Sequence, residues 1–382
     1  MQSGSYDVII VGAGIVGAAC AADFARRGMR VCVVDREGVA GGATSAGMGH
    51  VVVMDDSEAQ FALTRYSQQL WRAMHTELPE DVEFEQCGTI WVAADEEEMA
   101  EVRRKHEYYG SRGVPTEVLD AGALKQLEPN LRDGLKGGLL VPEDIVLNPP
   151  AATEFLIQNA QKHAADLRTG VSVKSMGDGC VQLSDESDLN ADVIVNAGGA
   201  WAAEFTPGVE IRKRKGHLAV TDVYPNFARH QLVELGYLKS AHSIAGDSVA
   251  FNIQPRRSGQ VLIGSSRQYG AEHKEVDQDI VDKMMERAQE YMPAIARMTI
   301  AHARCGFRAA TPDKLPLIGP WPGDRSVFLA TGHEGLGITT SLATARILVD
   351  QITGAKSEIS VEAYWPSRSV RTQTHLATEI SR

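Results

Sequence analysis

The sequence is poor in cysteine and has no long apolar run. Its 382 residues include 5 cysteines, and none forms a Cys-x-x-Cys pair or another metal-ligand spacing. We therefore expect no zinc or iron–sulfur site, and scattered single cysteines in an acidic chain are typical of reduced thiols in the cytoplasm. No apolar stretch reaches the roughly 18 to 20 residues that a membrane span needs, and we expect no signal peptide, because no basic segment with a cleavage site precedes the first strand.

The sequence also lacks a basic excess. Its formal net charge is -12 and its pI is about 5.4, which argues against a surface for nucleic acid or anionic membranes. An anionic substrate would therefore need a local cation in the binding site. We find no internal repeat and no low-complexity segment, and the length suits two or three domains, or two interleaved ones.

The stretch YDVIIVGAGIVGAACAADFARRGMRVCVVDR, residues 6–36, predicts a dinucleotide-binding unit. Apolar residues 8–11 predict a strand that ends at a GxGxxG turn, and a small-residue helix and a second strand at residues 31–34 follow. Asp35 ends the second strand, where a carboxylate can accept hydrogen bonds from ribose hydroxyls.

The three glycines of the turn each have a steric role in such a unit. Gly12 permits the tight turn, Gly14 lets the backbone approach a pyrophosphate, and Gly17 lets the helix pack on the strand. The pyrophosphate then faces the helix N-terminus, where free amides and the helix dipole favour an anion. The unit by itself does not distinguish NAD from FAD.

The next segment favours FAD. Residues 38–50, GVAGGATSAGMGH, are too rich in glycine for a helix interior and carry Thr44 and Ser45 as donors. A loop of this kind can follow a phosphate chain and pass under a planar ring. An NAD-dependent dehydrogenase stays as a disfavoured alternative.

The remaining segments predict two interleaved units. Residues 191–195 predict a buried strand that opens into Ala197-Gly198-Gly199, a second place for close backbone approach. Residues 216–224, 247–255 and 260–265 predict an antiparallel sheet, and residues 298–310 predict a strand with Arg304 and Arg308.

We therefore predict an α/β fold in which a Rossmann-type FAD-binding domain is interleaved with an α+β substrate domain built on an antiparallel sheet. The predicted FAD-binding domain comprises residues 1–80, 145–212 and 300–360, and the substrate domain residues 81–144 and 213–299. Residues 361–382 form a tail without an assigned place.

Four stretches of the chain resemble the D-amino-acid oxidase superfamily of FAD enzymes and occur in the same order as in that family. They are VIIVGAGIVG, GGATSAG, VIVNAGGAW, and GFRAATPDKLPLIG followed by ATGHEGLGITTS. The resemblance is to its glycine oxidase and sarcosine oxidase branch. The C-terminal GHEGLGITTS is most similar to the flavin subunits of the cis-4-hydroxy-D-proline dehydrogenases and to the related hydrogen cyanide synthase subunit.

This resemblance implies FAD as the cofactor. Since no cysteine lies near residues 332–339, non-covalent binding is expected. The loop at residues 42–49 would lead to the isoalloxazine ring, and residues 335–339 would direct a helix N-terminus at the flavin N1–C2 edge. The residues implied to bind FAD are Gly12, Gly14, Ile15, Val16, Gly17, Asp35, Arg36, Gly42, Ala43, Thr44, Ser45, Gly47, Met48, Gly49, Val173, Ala197, Gly198, Trp201, Gly332, Gly335, Leu336, Gly337, Ile338 and Thr339.

The resemblance also implies the substrate-binding residues. Arg308 would grip a substrate carboxylate with two parallel hydrogen bonds, the alternative being a surface arginine. His50 would orient the substrate or take the amine proton, or be a hydrogen-bonded loop residue. Glu334 would contact substrate or flavin. His333 is expected to be structural, and Lys215 and His217 are weaker candidates for the pocket wall.

The implied reaction is oxidation of a small amino or imino acid of the D-proline or cis-4-hydroxy-D-proline class, by hydride transfer to flavin N5. A dehydrogenase of this kind would pass electrons to partner subunits or a respiratory acceptor, in the cytoplasm or peripherally at the membrane. Two alternatives stay open: a glycine or sarcosine-type oxidase using dioxygen, and a non-catalytic FAD electron-relay subunit.

Overall fold

The computed structural model describes residues 5–236 and 247–369. Two large sheets dominate these residues. In chain order the strands are β1 Tyr6–Val11, β2 Val31–Asp35, β3 His50–Val51, β4 Thr89–Ala93, β5 Glu117–Asp120, β6 Gly137–Val141, β7 Ile145–Val146, β8 Asp166–Thr169, β9 Val173–Gly177, β10 Cys180–Leu183, β11 Asp188–Asn196, β12 Arg212–Val223, β13 Gln231–Glu234, β14 Ser248–Pro255, β15 Gln260–Tyr269, β16 Ile300–Ala310, β17 Leu317–Trp321 and β18 Asp324–Thr331.

Helices connect and cover these strands. They are α1 Ile15–Arg26, α2 Gly42–Ser45, α3 Glu58–Met74, α4 Glu96–Gly110, α5 Ala121–Leu127, α6 Pro149–Lys162, α7 Gln278–Tyr291 and α8 Gly337–Thr353. Four of them begin at a side chain that accepts a hydrogen bond from a backbone amide of the first turn, as such residues favour. The capping residues are Ser57, Asp95, Asp120 and Asp277. Within the described part of the chain, none of these helices has the length and apolar character to cross a bilayer.

The first sheet has the strand order β17-β18-β11-β1-β2-β8; β10 also pairs with β11, and β9 pairs with β10. β1 pairs in parallel with both β2 and β11, and β11 pairs in parallel with β18. Helices α1, α6 and α8 pack together beside this sheet and share its apolar core. The parallel unit and the interleaved α/β architecture predicted from the sequence are therefore confirmed.

The second sheet has the order β16-β12-β15-β14-β13-β4-β6-β5. It is antiparallel apart from the parallel pair β4 and β13. Three of its strands, β5, β6 and β13, were not predicted. β6 begins with two glycines, which resemble a turn, yet a Cβ at Gly138 would lie 2.6 Å from the Trp91 carbonyl oxygen, so close strand pairing requires glycine there.

The domain boundaries given in the sequence analysis stay predictions. Residues 300–360, assigned there to the FAD-binding domain, include β16, which pairs along its length with β12 of the second sheet. Pairing partners distant in sequence decide such membership, and no local pattern reports them.

The predicted tail is partly described. Tyr364 is buried and its hydroxyl donates to the Ala59 carbonyl oxygen at 2.6 Å, and Arg368 bonds to Asp313. Residues 361–369 therefore pack on the part of the chain that holds α3 and β17. The rest of the predicted tail, residues 370–382, lies outside the described residues.

Candidate functional site

The glycine turn after β1 forms a tight backbone cradle. Gly12 has φ +112°, and a Cβ there would lie 2.5 Å from the Ala197 carbonyl oxygen. A Cβ at Gly17 would lie 1.9 Å from the Gly12 carbonyl oxygen, and one at Gly14 would lie 3.2 Å from Thr44 Oγ1. Only glycine permits this approach of β1, α1 and the turn after β11, which leaves the start of α1 open to a phosphate.

Asp35 organises the same region. Its Oδ2 accepts from the Ala13 amide at 2.8 Å, and its Oδ1 accepts from the amides of Glu37 and Gly38 at 2.8 and 2.9 Å. A carboxylate offers about four acceptor positions, so three backbone bonds leave room for one ribose hydroxyl. Asp35 thus ties the turn after β2 to the glycine turn, a structural role that the sequence did not reveal.

A cavity of about 400 Å³ lies over this cradle. Trp201 borders it, with the Arg36 guanidinium 4.3 Å from the centre of its ring. The predicted residues that line this cavity are Gly12, Gly14, Ile15, Val16, Asp35, Arg36, Gly42, Ala43, Thr44, Val173, Ala197, Gly198, Trp201, Gly332 and Gly337. An elongated cavity with a glycine cradle and a ribose acceptor fits the adenosine and pyrophosphate parts of FAD.

A second cavity, of about 230 Å³, continues from the first, and Ile15, Ala43, Thr44, Glu334 and Gly337 line both. Other predicted residues that line only this one are Gly47, Met48, His50, Arg308, Gly335, Leu336 and Ile338. The start of α8 faces it, so a helix N-terminus points toward the space where the ring system would lie.

Two further glycines bring the flavin loop, residues 42–49, close to its neighbours. A Cβ at Gly306 of β16 would lie 2.9 Å from the Ala46 Cβ, and one at Gly47 would lie 2.7 Å from the Ile338 side chain. The loop is therefore held between the second sheet and α8. Part of it, α2, is a single helical turn rather than the irregular loop that its glycine content predicted.

Four of the predicted FAD-binding residues line neither cavity. Gly17 supports the cradle, and Ser45 donates to the Gly42 carbonyl oxygen at 3.0 Å. Gly49 passes over the Leu147 carbonyl oxygen, where a Cβ would lie at 1.9 Å. Thr339 is buried and its hydroxyl donates to the His50 carbonyl oxygen at 2.9 Å. These residues hold the loop and α8 in place from outside the cavities.

Arg308 reaches the second cavity from β16. Its Nη1 donates to the Ser266 carbonyl oxygen at 2.7 Å, which fixes the guanidinium across β12 and β15. The residue beneath it is Gly216, where a Cβ would lie 2.5 Å from Nη1. Gly216 therefore provides the space that the guanidinium occupies, and the sequence analysis missed it because a glycine within a strand has no distinctive pattern.

Glu334 lies where the two cavities meet, in a left-handed conformation with φ +55°. It forms an ion pair with Arg214 of β12, and its Oε2 accepts from the Gly335 amide at 2.9 Å. Arg214 is a lining residue that the sequence analysis did not identify. The pair lowers the net positive charge beside Arg308 and holds the turn before α8 against the second sheet.

His50 lines the second cavity close to Arg308. Burial lowers the pKa of its imidazole to about 4, and the nearby Arg308 charge acts in the same direction. His50 is therefore neutral at physiological pH. His333 is also buried, and burial lowers its pKa to about 3; its Nε2 lies 2.9 Å from Thr344 Oγ1 in α8, which agrees with the structural role expected for it.

The prediction that Lys215 belongs to the pocket wall is wrong. Its Nζ donates to the Glu275 carbonyl oxygen and lies 3.3 Å from His273 Nδ1, and it lines neither cavity. His217 does border the second cavity, but its ring is engaged by Ser266 and by the Asp277 amide. Burial lowers the His217 pKa to about 4.

The sequence analysis expected the antiparallel sheet to wall the substrate pocket, but it did not identify most of the residues that do so. The residues of this sheet that line the second cavity include Trp91, Gln231, Asn252 and Arg267, on strands that are far apart in the chain. No group of three or more His, Cys, Asp or Glu residues suited to a metal ion is found among the residues that the structure describes.

Comparison with known proteins agrees with this site. The family model described as DAO, FAD dependent oxidoreductase, matches residues 7–351. A glycine oxidase of Geobacillus kaustophilus is 26% identical over 376 residues, which cover 96% of this chain and 97% of that protein. The hydrogen cyanide synthase subunit HcnC of Pseudomonas protegens is 25% identical, over 92% of this chain and 93% of the subunit.

A crystal structure of glycine oxidase from Geobacillus kaustophilus superimposes with a TM-score of 0.86 at 24% identity, covering 96% of this chain and 100% of that one. The superposition supports the fold, and the family match extends over both sheets. The resemblance drawn from four short stretches is thereby confirmed along most of the chain. The chain belongs to the DAO family of FAD-dependent oxidoreductases, and FAD is its cofactor.

Proposed function

We propose that this protein oxidises a small amino or imino acid of the D-proline or cis-4-hydroxy-D-proline class. Hydride leaves the carbon that bears the amine, and the product is an imine. The observation that carries the proposal is Arg308, fixed by the Ser266 carbonyl over Gly216 and directed into the cavity beside the flavin loop. The names of the relatives, glycine oxidase among them, support an amino acid as substrate.

The side chains around the cavity suit such a substrate. Arg308 binds the carboxylate in a fixed orientation, which places the carbon next to it toward the flavin loop. Glu334, which also borders the cavity, forms an ion pair with Arg214. FAD, when bound, supplies the acceptor for the hydride.

The neutral state of His50 restricts its role. With a pKa of about 4 the ring is a weak base at neutral pH, so we propose that it orients the substrate and excludes water rather than taking the amine proton. The substrate ammonium first loses a proton to solvent, and hydride then leaves the neutral amine. The resulting iminium releases its N–H proton to solvent, which gives the imine.

We propose further that FAD is held non-covalently, because no cysteine of the described residues lines either cavity. Release of all yellow colour from protein denatured with acid supports this, and colour retained in the precipitate contradicts it. The name of HcnC, a synthase subunit, supports a chain that passes electrons to partner subunits or a respiratory acceptor. The protein would then work in the cytoplasm or at the membrane surface through that partner.

The experiment is anaerobic mixing of the yellow holoenzyme with D-proline, cis-4-hydroxy-D-proline, glycine and sarcosine, followed by the flavin absorbance bands. Bleaching by the two proline compounds supports the proposal. Bleaching by glycine or sarcosine alone, with rapid reoxidation in air, favours the glycine and sarcosine-type oxidase. No bleaching by any of them favours an electron-relay subunit.

A further inference from the structure

The part of the second cavity lined by the second sheet has buried polar atoms that no protein group satisfies. Trp91 Nε1, Gln231 Oε1 and Asn252 Oδ1 have no hydrogen-bond partner, and Trp91 and Gln231 are 4% and 3% exposed. All three residues line this cavity. Buried polar groups are nearly always hydrogen-bonded, so such a group in a cavity indicates what the cavity binds.

Strand register brings these three residues into one patch. Val233 of β13 stands opposite Trp91 of β4 on one side and opposite Asn252 of β14 on the other. Gln231 lies two residues before Val233 and therefore on the same face. Adjacent strands are about 4.8 Å apart, so the backbones of Trp91 and Asn252 stand roughly 10 Å apart on either side of Val233, and all three side chains line one cavity.

The patch adjoins the flavin loop. Asn252 stands opposite Gly264 of β15, and a Cβ at Gly264 would lie 3.0 Å from the Met48 sulfur. Met48 belongs to the flavin loop and lines the same cavity as Arg308. Arg308, the flavin loop and the patch therefore border one cavity, so one substrate molecule can contact all three.

We propose that Trp91, Gln231 and Asn252 form a subsite for an uncharged, hydrogen-bonding substituent of the substrate, such as a hydroxyl or an amide. This inference rests on the proposed function and specifies its substrate class. Trp91 Nε1 can only donate, so the substituent must accept, and the amide groups of Gln231 and Asn252 offer both a donor and an acceptor. A charged substituent would be buried against three neutral groups, which is unfavourable.

The test is anaerobic reduction of the holoenzyme by two matched pairs: D-proline with cis-4-hydroxy-D-proline, and D-norvaline with D-glutamine. A site that hydrogen-bonds a substituent discriminates strongly against the analogue that lacks it. In at least one pair we therefore expect the polar member to reduce the flavin with a second-order rate constant about 100-fold or more above that of its apolar partner. Equal rates within both pairs would overturn the subsite and leave the proposed function intact. No reduction by any amino acid would overturn both.

Variants assign the preference to the patch. Trp91→Phe keeps an aromatic ring and removes the donor, and Asn252→Leu keeps the approximate volume and removes the amide. We expect each to lower the preference for the polar member about tenfold, with little change for its apolar partner. Trp365→Phe, at an exposed ring, is the matched control and should keep the preference.

Retention of the wild-type preference by both Trp91→Phe and Asn252→Leu, with FAD bound, would contradict the proposal. D-glutamate is the anionic comparison. If it reduces the flavin faster than D-glutamine, the site accepts a second carboxylate through Arg267, and the assignment of an uncharged substituent is wrong.

Discussion

The two faces of the second sheet have opposite chemistry although the same strands form both. On one face Ile90, Leu232 and Ile253 belong to an apolar core that α7 completes. On the other face, residues next to these in sequence, such as Trp91, Gln231 and Asn252, line the second cavity. Alternation along a strand thus separates a face that provides stability from a face that provides recognition.

This contrast shows why the polar face is easily misread. Polar residues that alternate with apolar ones in an antiparallel strand usually face water. Here the cofactor-binding part of the chain covers the polar face, so Gln231 is 3% exposed and Trp91 is 4% exposed. The same pattern that predicts a solvated surface in an isolated sheet forms a buried binding wall in this protein.

The largest expected effect is a loss of stability caused by a substitution on the apolar face of the second sheet. Phe251 is fully buried, and its ring stacks on Tyr291 of α7 with centroids 4.4 Å apart. We expect Phe251→Ala to lower the free energy of unfolding by about 4 kcal/mol through lost burial and a cavity. Urea denaturation measures this, and flavin reduction at a temperature where the variant stays folded should change little. An undiminished stability would show that this face is not the supporting one.

Arg308→Met tests the polar face. Removing the carboxylate partner should raise KM about 100-fold or more, equivalent to about 3 kcal/mol, while FAD stays bound and stability stays close to wild type. The matched control is Arg212→Met, on an exposed arginine of β12 that pairs with Glu210. Steady-state kinetics with the best substrate of the panel measures this effect. An unchanged KM would contradict the proposal that Arg308 binds the substrate carboxylate.

Gly216→Ala disturbs the polar face more gently. The added methyl group would lie 2.5 Å from the Arg308 guanidinium, so the guanidinium must move. We expect KM to rise about 30-fold, equivalent to about 2 kcal/mol of lost or strained contacts, with FAD content unchanged. Gly110→Ala, in open space at the end of α4, should behave as wild type. Equal KM values for the two variants would contradict the role given to Gly216.

The smallest expected effect is a change in the pH dependence of stability when His217 of β12 is substituted. Burial lowers its folded-state pKa to about 4, so the unfolded chain binds a proton that the folded chain does not as pH falls below about 6.5. Stability contributed above that pH is therefore lost between about pH 6.5 and 4. Between pH 7 and pH 5 the free energy of unfolding should fall by about 1 kcal/mol less in His217→Gln than in wild type, as measured by urea denaturation. An identical slope for both proteins would contradict this.

The cofactor-binding part could be predicted from the sequence in detail. Its signals are local: Gly12, Gly14 and Gly17 stand within six residues, and Asp35 follows within one strand–helix–strand unit. The cap residues Asp95 and Asp277 are local features as well, because each accepts a hydrogen bond from an amide in the first turn of its own helix. Such patterns work because the turn, the helix start and the strand end constrain the same few residues.

The substrate side could be predicted only in part. Arg308 was identified through a family resemblance, whereas Arg214, Gly216 and the polar patch were not. The pairing of β16 with β12 was not foreseen, and Thr339, expected to bind FAD, supports the cavity from outside. Each of these depends on which strands become neighbours, and the register across strands leaves no mark in a single segment.

By itself the sequence determined the strand–glycine turn–helix unit and the alternation of two sheets along the chain, and it indicated Arg308 as the residue that we propose binds the substrate carboxylate. The tertiary structure decided that the polar face of the second sheet is covered by the cofactor-binding part. It also decided that Gly216 makes room for Arg308 and that Arg214 is paired with Glu334. The physical reason is that steric limits on a turn act between neighbours in sequence, whereas burial and charge pairing act between neighbours in space.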